Sequence, residues 1–219
     1  MIPLLHDFSG ATVLVFGGGP VGARKARRFA REASVVVVVS PDFADAEFGG
    51  SERVRAAPAE GDVPNWLDRF DPALVVAATD DATVNEAIAE AARDRGVLVN
   101  RADSHGDRDP GSVVVPATVR DDPVVAAVAT GGASPALSKH LRETIEAEIA
   151  GAGAMATVTA DLRDELRDEG VPEGDRHDAI RAVVRSSRVW KGLRRGESKG
   201  RQVARDVISD KLHSSGDTR

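Results

Sequence analysis

An α/β fold built on a parallel sheet is what this 219-residue sequence predicts, and three features predict it. Short β-branched runs alternate with helix-patterned segments between Thr12 and Asn100. One of those runs is five consecutive valines, Val35–Val39. A glycine cluster separates the first run from the first helical segment. An unbroken apolar run marks a strand covered on both faces, as parallel strands are, and alternation with helices implies right-handed crossovers.

Thr12–Phe16 predicts the first strand, stopped by glycines. Val21 to Ala33 is helical in pattern, with Gly22, Ala26, Phe29/Ala30 and Ala33 on one face. Val35–Val39 is the second strand. A weaker unit follows, with a short strand near Arg53–Ala57 and one or two helical turns in "VPNWLDRF". Ala73–Ala78 is the next strand. Thr79 or Asp80 then caps a helix running to about Arg95, with Val84, Ile88 and Ala91/Ala92 facing in and Gly96 ending it. Val97–Asn100 closes the alternation, and 101–112, "RADSHGDRDPGS", is a polar loop. "VVVPATVRDDPVVAAVAT" predicts two strands joined at Asp121-Asp122-Pro123. Ser134 and Pro135 then open a long helix as N-cap and first helical residue. "GAG" at 151–153 is a break. Helical patterns follow at about 154–169 and 176–188, and then a basic stretch runs to the end.

Composition excludes several chemistries. There is no cysteine, so disulfides, thiolate metal sites and thiol-based covalent catalysis are ruled out, which fits a cytoplasmic address. No apolar segment is long enough for a membrane span, and "MIPLLHDFSG" lacks the basic and apolar parts of an export signal. The formal net charge is −6, unevenly spread: from Arg181 onward there are eleven Lys/Arg against four Asp/Glu. Nothing points to nucleic acid. The five histidines are scattered, none at metal-ligand spacing, so no metal site is expected.

"GGGPVG" satisfies G-x-G-x-x-G through Gly17, Gly19 and Gly22, between a strand and a helix. That context is the dinucleotide-binding form of the pattern, the Rossmann type. Gly17 permits the tight turn, Gly19 the approach of a pyrophosphate, and Gly22 close helix–strand packing. The anion would rest on free N–H groups at the helix N-terminus. Asp42, twenty residues past Gly22, can accept a ribose 2′-hydroxyl and would repel a 2′-phosphate, so NAD is expected rather than NADP. Arg24, Lys25, Arg27 and Arg28 read as the exposed face of the helix. Asp103 follows the last parallel strand, at the carboxyl edge where ligands bind in such sheets. A carboxylate there can accept a proton lost alongside hydride transfer.

"VLVFGGGPVGARKARRF", "VVAATDDATVNEAIAEAA", "LVNRAD" and "VVAAVATGGASPALSKHLRETIE", in that order, resemble the siroheme-synthase dehydrogenase/ferrochelatase family over about residues 2–150. The resemblance implies oxidation of precorrin-2 to sirohydrochlorin with NAD⁺, and in some members Fe²⁺ insertion to give siroheme. It implies cofactor contacts from Gly17, Gly18, Gly19, Pro20, Val21, Gly22, Ser40, Pro41, Asp42, Thr79 and Asp80. It makes Asp103 the catalytic aspartate, for chelation too where that occurs; chelation needs a base to strip the pyrrole protons, and His105 is a second candidate for that. Thr130 stands where some relatives have a serine near the tetrapyrrole. Thr130, Gly131, Gly132, Ser134, Arg101 and Arg142 are the candidate substrate contacts. Gly22 stands where relatives often have Ala, either being small enough for helix–strand packing.

The implied organisation is an NAD-binding Rossmann domain at 1–112, a strand–helix dimerisation module at 113–150 and a helical C-terminal domain at 151–219. The chain is expected to be a homodimer and a stand-alone form without the methyltransferase that some members carry. Precorrin-2 is rich in carboxylates, so Arg101, Arg142, Arg188, Arg194 and Arg195 are expected to draw it in. A non-catalytic NAD-sensing module would share the glycine loop and Asp42 but has no need of "NRAD" or "TGGASP".

Overall fold

A computed structural model of the chain describes residues 2–102 and 112–216, and these divide between two compact units, Met1–Val115 and Pro116–Arg219. Asp103 and His105 lie outside the described residues. The boundary expected after residue 112 lies three residues before this division. The segments 113–150 and 151–219 fall almost wholly in the second.

Five parallel strands form the sheet of the first unit: β1 (Thr12–Phe16), β2 (Val35–Ser40), β3 (Glu52–Arg55), β4 (Leu74–Ala77) and β5 (Leu98–Arg101). Their order is β3-β2-β1-β4-β5, so successive crossovers leave β1 in opposite directions and a crevice opens at its carboxyl end. The two-residue period of the strands sends side chains to two separate cores. Val13, Val15, Val36, Val38, Leu74 and Val76 pack with Ala23, Ala26 and Phe29 of α1 (Pro20–Phe29). Leu14, Phe16, Val37, Val39, Val75, Ala77 and Val99 pack with Val63 and Leu67 of α2 (Val63–Phe70) and Val84, Ile88 and Ala92 of α3 (Ala82–Asp94). The expected doubly covered parallel sheet is present, and the valine run is buried from Val36 onward.

In the first unit the elements differ from the sequence-based expectations at their ends. Helix α1 stops at Phe29, and Ala33 still packs on its core from the following turn. Helix α3 is capped by Asp81, one residue beyond Asp80, whose carboxylate accepts the N–H groups of Thr83 at 2.8 Å and Val84 at 3.2 Å. The reason is that Thr79 is held inward by Asn85, which leaves Asp81 as the residue facing the helix start.

In the second unit, β6 (Ala117–Asp121) and β7 (Val124–Val128) pair antiparallel around Asp122-Pro123, a cis peptide. Helix α4 (Pro135–Glu148) follows, with Ser134 as its N-cap as expected: its hydroxyl accepts the Leu137 N–H at 3.2 Å. The break before α5 (Ala152–Asp168) covers 149–151, so of the expected 151–153 only Gly151 lies in it and Gly153 is inside the helix. Asp121 tethers this start, accepting the N–H groups of Gly151 at 2.7 Å and Gly153 at 3.1 Å.

Helix α6 (Glu173–Arg185) begins three residues earlier than expected, and the basic stretch is itself helical, as α7 (Ser187–Leu193) and α8 (Glu197–Gly216). Val189, Leu193, Ala204 and Ile208 bury against Met155, Val158, Leu162, Ile180 and Val183. Two of the tail arginines hold α8 to α5, Arg201 pairing with Asp161 and Arg205 with Glu165. Among the described residues no helix is long and apolar enough to cross a membrane, and no group of three His, Asp or Glu side chains could hold a metal ion.

Candidate functional site

The glycine loop lies at the carboxyl end of β1, and its neighbours account for three of its glycines. Gly17 has a φ of +114°, and a Cβ there would stand 2.2 Å from the Ala78 carbonyl oxygen at the end of β4. A Cβ on Gly18 would stand 2.2 Å from the Asp42 carbonyl oxygen and 2.8 Å from the Ser40 hydroxyl. The loop is therefore wedged between the ends of β2 and β4. Backbone bonds hold it there: the Gly17 N–H donates to Val39 O at 3.0 Å, and Gly18 O accepts the Ala44 N–H at 2.8 Å.

Gly22 corrects an expectation. A Cβ there would meet the Gly17 carbonyl oxygen at 1.8 Å, while the nearest strand atom, Val15 Cγ1, is 3.7 Å away. The strand has room for a methyl group and the loop has none, so glycine and alanine are not interchangeable at this position.

Gly19 is different in kind. A Cβ there would meet nothing within 4 Å, so the bare backbone faces open space. Gly19 is also the N-cap of α1, no side chain caps that helix, and Pro20 occupies its first turn. The first N–H groups of a helix lack intrahelical acceptors and carry the positive end of its dipole. Uncapped N–H groups behind an unobstructed glycine fit a pyrophosphate. Val21, 36% exposed, sets an apolar side chain beside this opening.

Two further segments border the loop. Ser40 is buried, and Pro41 and Asp42 are exposed beyond it. The Asp42 carboxylate accepts from Arg55 Nη1 at 2.8 Å. On the other side Thr79 is fixed by Asn85, which is buried inside α3. Asn85 Oδ1 accepts the Thr79 N–H at 3.1 Å and its hydroxyl at 2.8 Å, while Asn85 Nδ2 donates to Thr79 O at 3.0 Å. One amide thereby satisfies both backbone groups of the residue that follows Ala78, the wall of the Gly17 turn. Asp80 is exposed on the same turn.

Sequence reasoning missed Asn85, although a polar residue on the inward face beside Val84 and Ile88 was its signal. It also placed Lys25 on the exposed face of α1, whereas the side chain is half-buried and Lys25 Nζ donates to Asn100 Oδ1 at 2.7 Å. Asn100 Nδ2 in turn donates to Val113 O at 2.7 Å. A lysine stem long enough to cross the sheet end is not revealed by helical periodicity.

The other candidates belong to other elements of the chain. Arg101 ends β5 and pairs with Glu86 of α3, and that guanidinium holds the Glu86 carboxyl below its usual range, helped by Arg93 at 3.1 Å. In the second unit the Thr130 hydroxyl donates to Ser134 O at 3.1 Å and lies 2.9 Å from the Ser138 hydroxyl. Gly131 and Gly132, at φ +64° and +86°, make the turn into α4. Arg142 pairs with Glu146 at 2.7 Å. Arg188, Arg194 and Arg195 are exposed, with no side-chain partner among the described residues.

Comparison with known proteins extends the reading past this geometry. A family model described as "Putative NAD(P)-binding" matches residues 4–117. The precorrin-2 dehydrogenase of Methanosarcina barkeri is 30% identical over 223 residues, covering 98% of this chain and 96% of that protein. The siroheme synthase of Azotobacter vinelandii is 34% identical over 76% of this chain, which spans 35% of that longer protein. The solved structure of SirC, precorrin-2 dehydrogenase, aligns with a TM-score of 0.70 at 23% identity, covering 95% of this chain and all of that one, a likeness of fold. With its dinucleotide loop at the sheet's switch point and a relative matched end to end, the chain belongs to the precorrin-2 dehydrogenase/siroheme synthase N-terminal family.

Proposed function

We propose that this chain oxidises precorrin-2 to sirohydrochlorin, with NAD taking the hydride. The observation that carries this reading is the 30% identity with the Methanosarcina barkeri enzyme along 98% of the chain, which spans both units and not the nucleotide fold alone. The uncapped, unobstructed start of α1 supports it from the side of the cofactor.

Bound there, NAD supplies a two-electron acceptor. The N–H groups of Gly18, Gly19, Val21 and Gly22 would hold its pyrophosphate, and Asp42 would accept from the adenosine ribose. Thr79 and Asp80 border the cleft, and Pro20 and Val21 present apolar surface at its mouth. The macrocycle loses two hydrogens, one as hydride and one as a proton, and Asp103 is the residue assigned to take the proton. Arg188, Arg194 and Arg195, exposed and unpaired among the described residues, are the arginines best suited to attract a carboxylate-rich substrate. Arg101 and Arg142 are already engaged by Glu86 and Glu146. Likeness to siroheme synthases supports Fe²⁺ insertion as a second step at the same centre, with Asp103 and His105 as the bases.

Residues 113–150 are proposed as a dimerisation module ahead of a helical domain at 151–219. Helix α4 buries none of its residues, and Leu137 and Leu141, one helical turn apart, are 47% and 36% exposed. A second copy of the chain would cover them.

The test is to mix the purified protein, NAD⁺ and enzymatically made precorrin-2 and follow the absorption spectrum. Conversion to sirohydrochlorin with formation of NADH is expected, and Asp103→Asn should slow it at least a hundredfold. NADH binding without any turnover would reduce the chain to a dinucleotide sensor.

A further inference from the structure

We propose that the adenosine end of the cofactor is read by an ion pair, Asp42–Arg55, and that the chain therefore accepts NADP as well as NAD. The inference rests on the dinucleotide reading of the glycine loop and deepens it. A lone carboxylate after the second strand selects NAD because it accepts the ribose 2′-hydroxyl and repels a 2′-phosphate. The carboxylate here is not alone.

Strand register brings the two residues together. Arg55 is paired with Ser40 across β2 and β3, so its side chain starts beside the point where the chain runs on into Pro41 and Asp42. Its Nη1 donates to Pro41 O at 2.9 Å and to Asp42 Oδ1 at 2.8 Å. Among the described residues Nε and Nη2 of Arg55 have no partner. Arg53, two residues earlier and so on the same side of the strand, adds a second cation. The Arg53 and Arg55 guanidinium carbons each lie 5.7 Å from the centre of the Phe43 ring, and that of Arg53 lies 5.8 Å from the Phe48 ring. Phe43, Ala44, Asp45, Arg53 and Arg55 line an open groove of about 490 Å³ next to Asp42.

This arrangement gives either ribose substituent a partner. A 2′-hydroxyl donates to the carboxylate oxygen that Arg55 leaves free. A 2′-phosphate takes the free edge of the Arg55 guanidinium, a donor pair suited to phosphate oxygens. Both members of the pair are largely exposed, 69% for Arg55 and 93% for Asp42, so little holds the guanidinium against the carboxylate if a phosphate competes. Arg53 offsets the charge of Asp45 in the same groove.

The experiment is a titration of the purified chain with NADH and with NADPH, followed by nucleotide fluorescence, for wild type, Arg55→Gln, Arg55→Lys and Asp42→Asn. Wild type should bind the two within about tenfold of each other. Arg55→Gln should weaken NADPH at least tenfold and NADH less than threefold, with unchanged melting temperature since the side chain is exposed. Arg55→Lys, which keeps the charge, should restore part of the NADPH affinity. Asp42→Asn should weaken NADH and leave NADPH as tight or tighter. Wild type that prefers NADH by more than tenfold, or an Arg55→Gln protein that loses both nucleotides equally, overturns the proposal. Binding of neither nucleotide by wild type removes the dinucleotide reading itself and this proposal with it.

Discussion

The two units hold their polar groups in opposite ways. In the nucleotide unit, backbone groups and a buried amide hold the site: the glycine loop is bonded to Val39 and Ala44, and the wall beside it to Asn85. In the second unit, charge pairs on helix surfaces predominate, such as Arg142–Glu146 and Arg205–Glu165, and α4 lies on a hairpin without burying a single residue. Close packing around a ligand loop leaves one geometry, whereas an amphipathic helix with its apolar residues uncovered is incomplete until something packs on it.

That contrast is open to direct attack. The largest effect is expected at α4: Leu137→Asp with Leu141→Asp should convert the proposed dimer to a monomer in sedimentation, while NADH binding by the first unit persists. A dimer that survives both substitutions would put the interface elsewhere.

Next come two glycines three residues apart. Gly22→Ala forces a methyl group onto the Gly17 carbonyl and should cost about 3 kcal/mol in urea unfolding. Gly19→Ala meets no protein atom, so it should leave stability within about 1 kcal/mol yet weaken NADH binding at least tenfold. Equal behaviour of the two variants would mean that the space in front of Gly19 is not where the nucleotide lies.

Asn85→Ala leaves the Thr79 N–H and carbonyl without their partner and should destabilise the chain by roughly 2 kcal/mol. It should also raise the apparent NADH constant, because Ala78 and Thr79 form the wall that Gly17 leans on.

The smallest effect is at the Glu86–Arg101 pair. Arg101 lowers the Glu86 pKa, so the folded state favours the ionised form. The stabilisation is present at neutral pH and is lost as pH falls through the depressed value, below the ordinary carboxylate range near 4.5. Because the Glu86 side chain is 46% exposed, Glu86→Gln should cost only about 0.5 kcal/mol at pH 7 and progressively less as the pH is lowered through the acid range, read from melting temperatures across that range.

Much of this was legible in advance. The valine run, the glycine spacing and the inward face of α3 each express a local period, and the strands, crossovers and loop followed from them. The Ser134 cap and the hairpin at Asp121–Pro123 were equally local. The last two helices were hidden because α7 is short and the charged residues of α8 outnumber its apolar ones, and the positions that bury, Leu193, Ala204, Ile208, are visible as a stripe only once α5 and α6 are there to meet them.

The alternation of apolar runs and glycine punctuation therefore specified a parallel nucleotide-binding sheet unaided, since backbone pairing and burial act over a few neighbouring residues. Which side chains meet across that sheet was settled only in three dimensions. Lys25 reaching Asn100 and Arg55 lying on Asp42 join separate segments of the chain, so each depends on strand register and helix placement that no single segment contains.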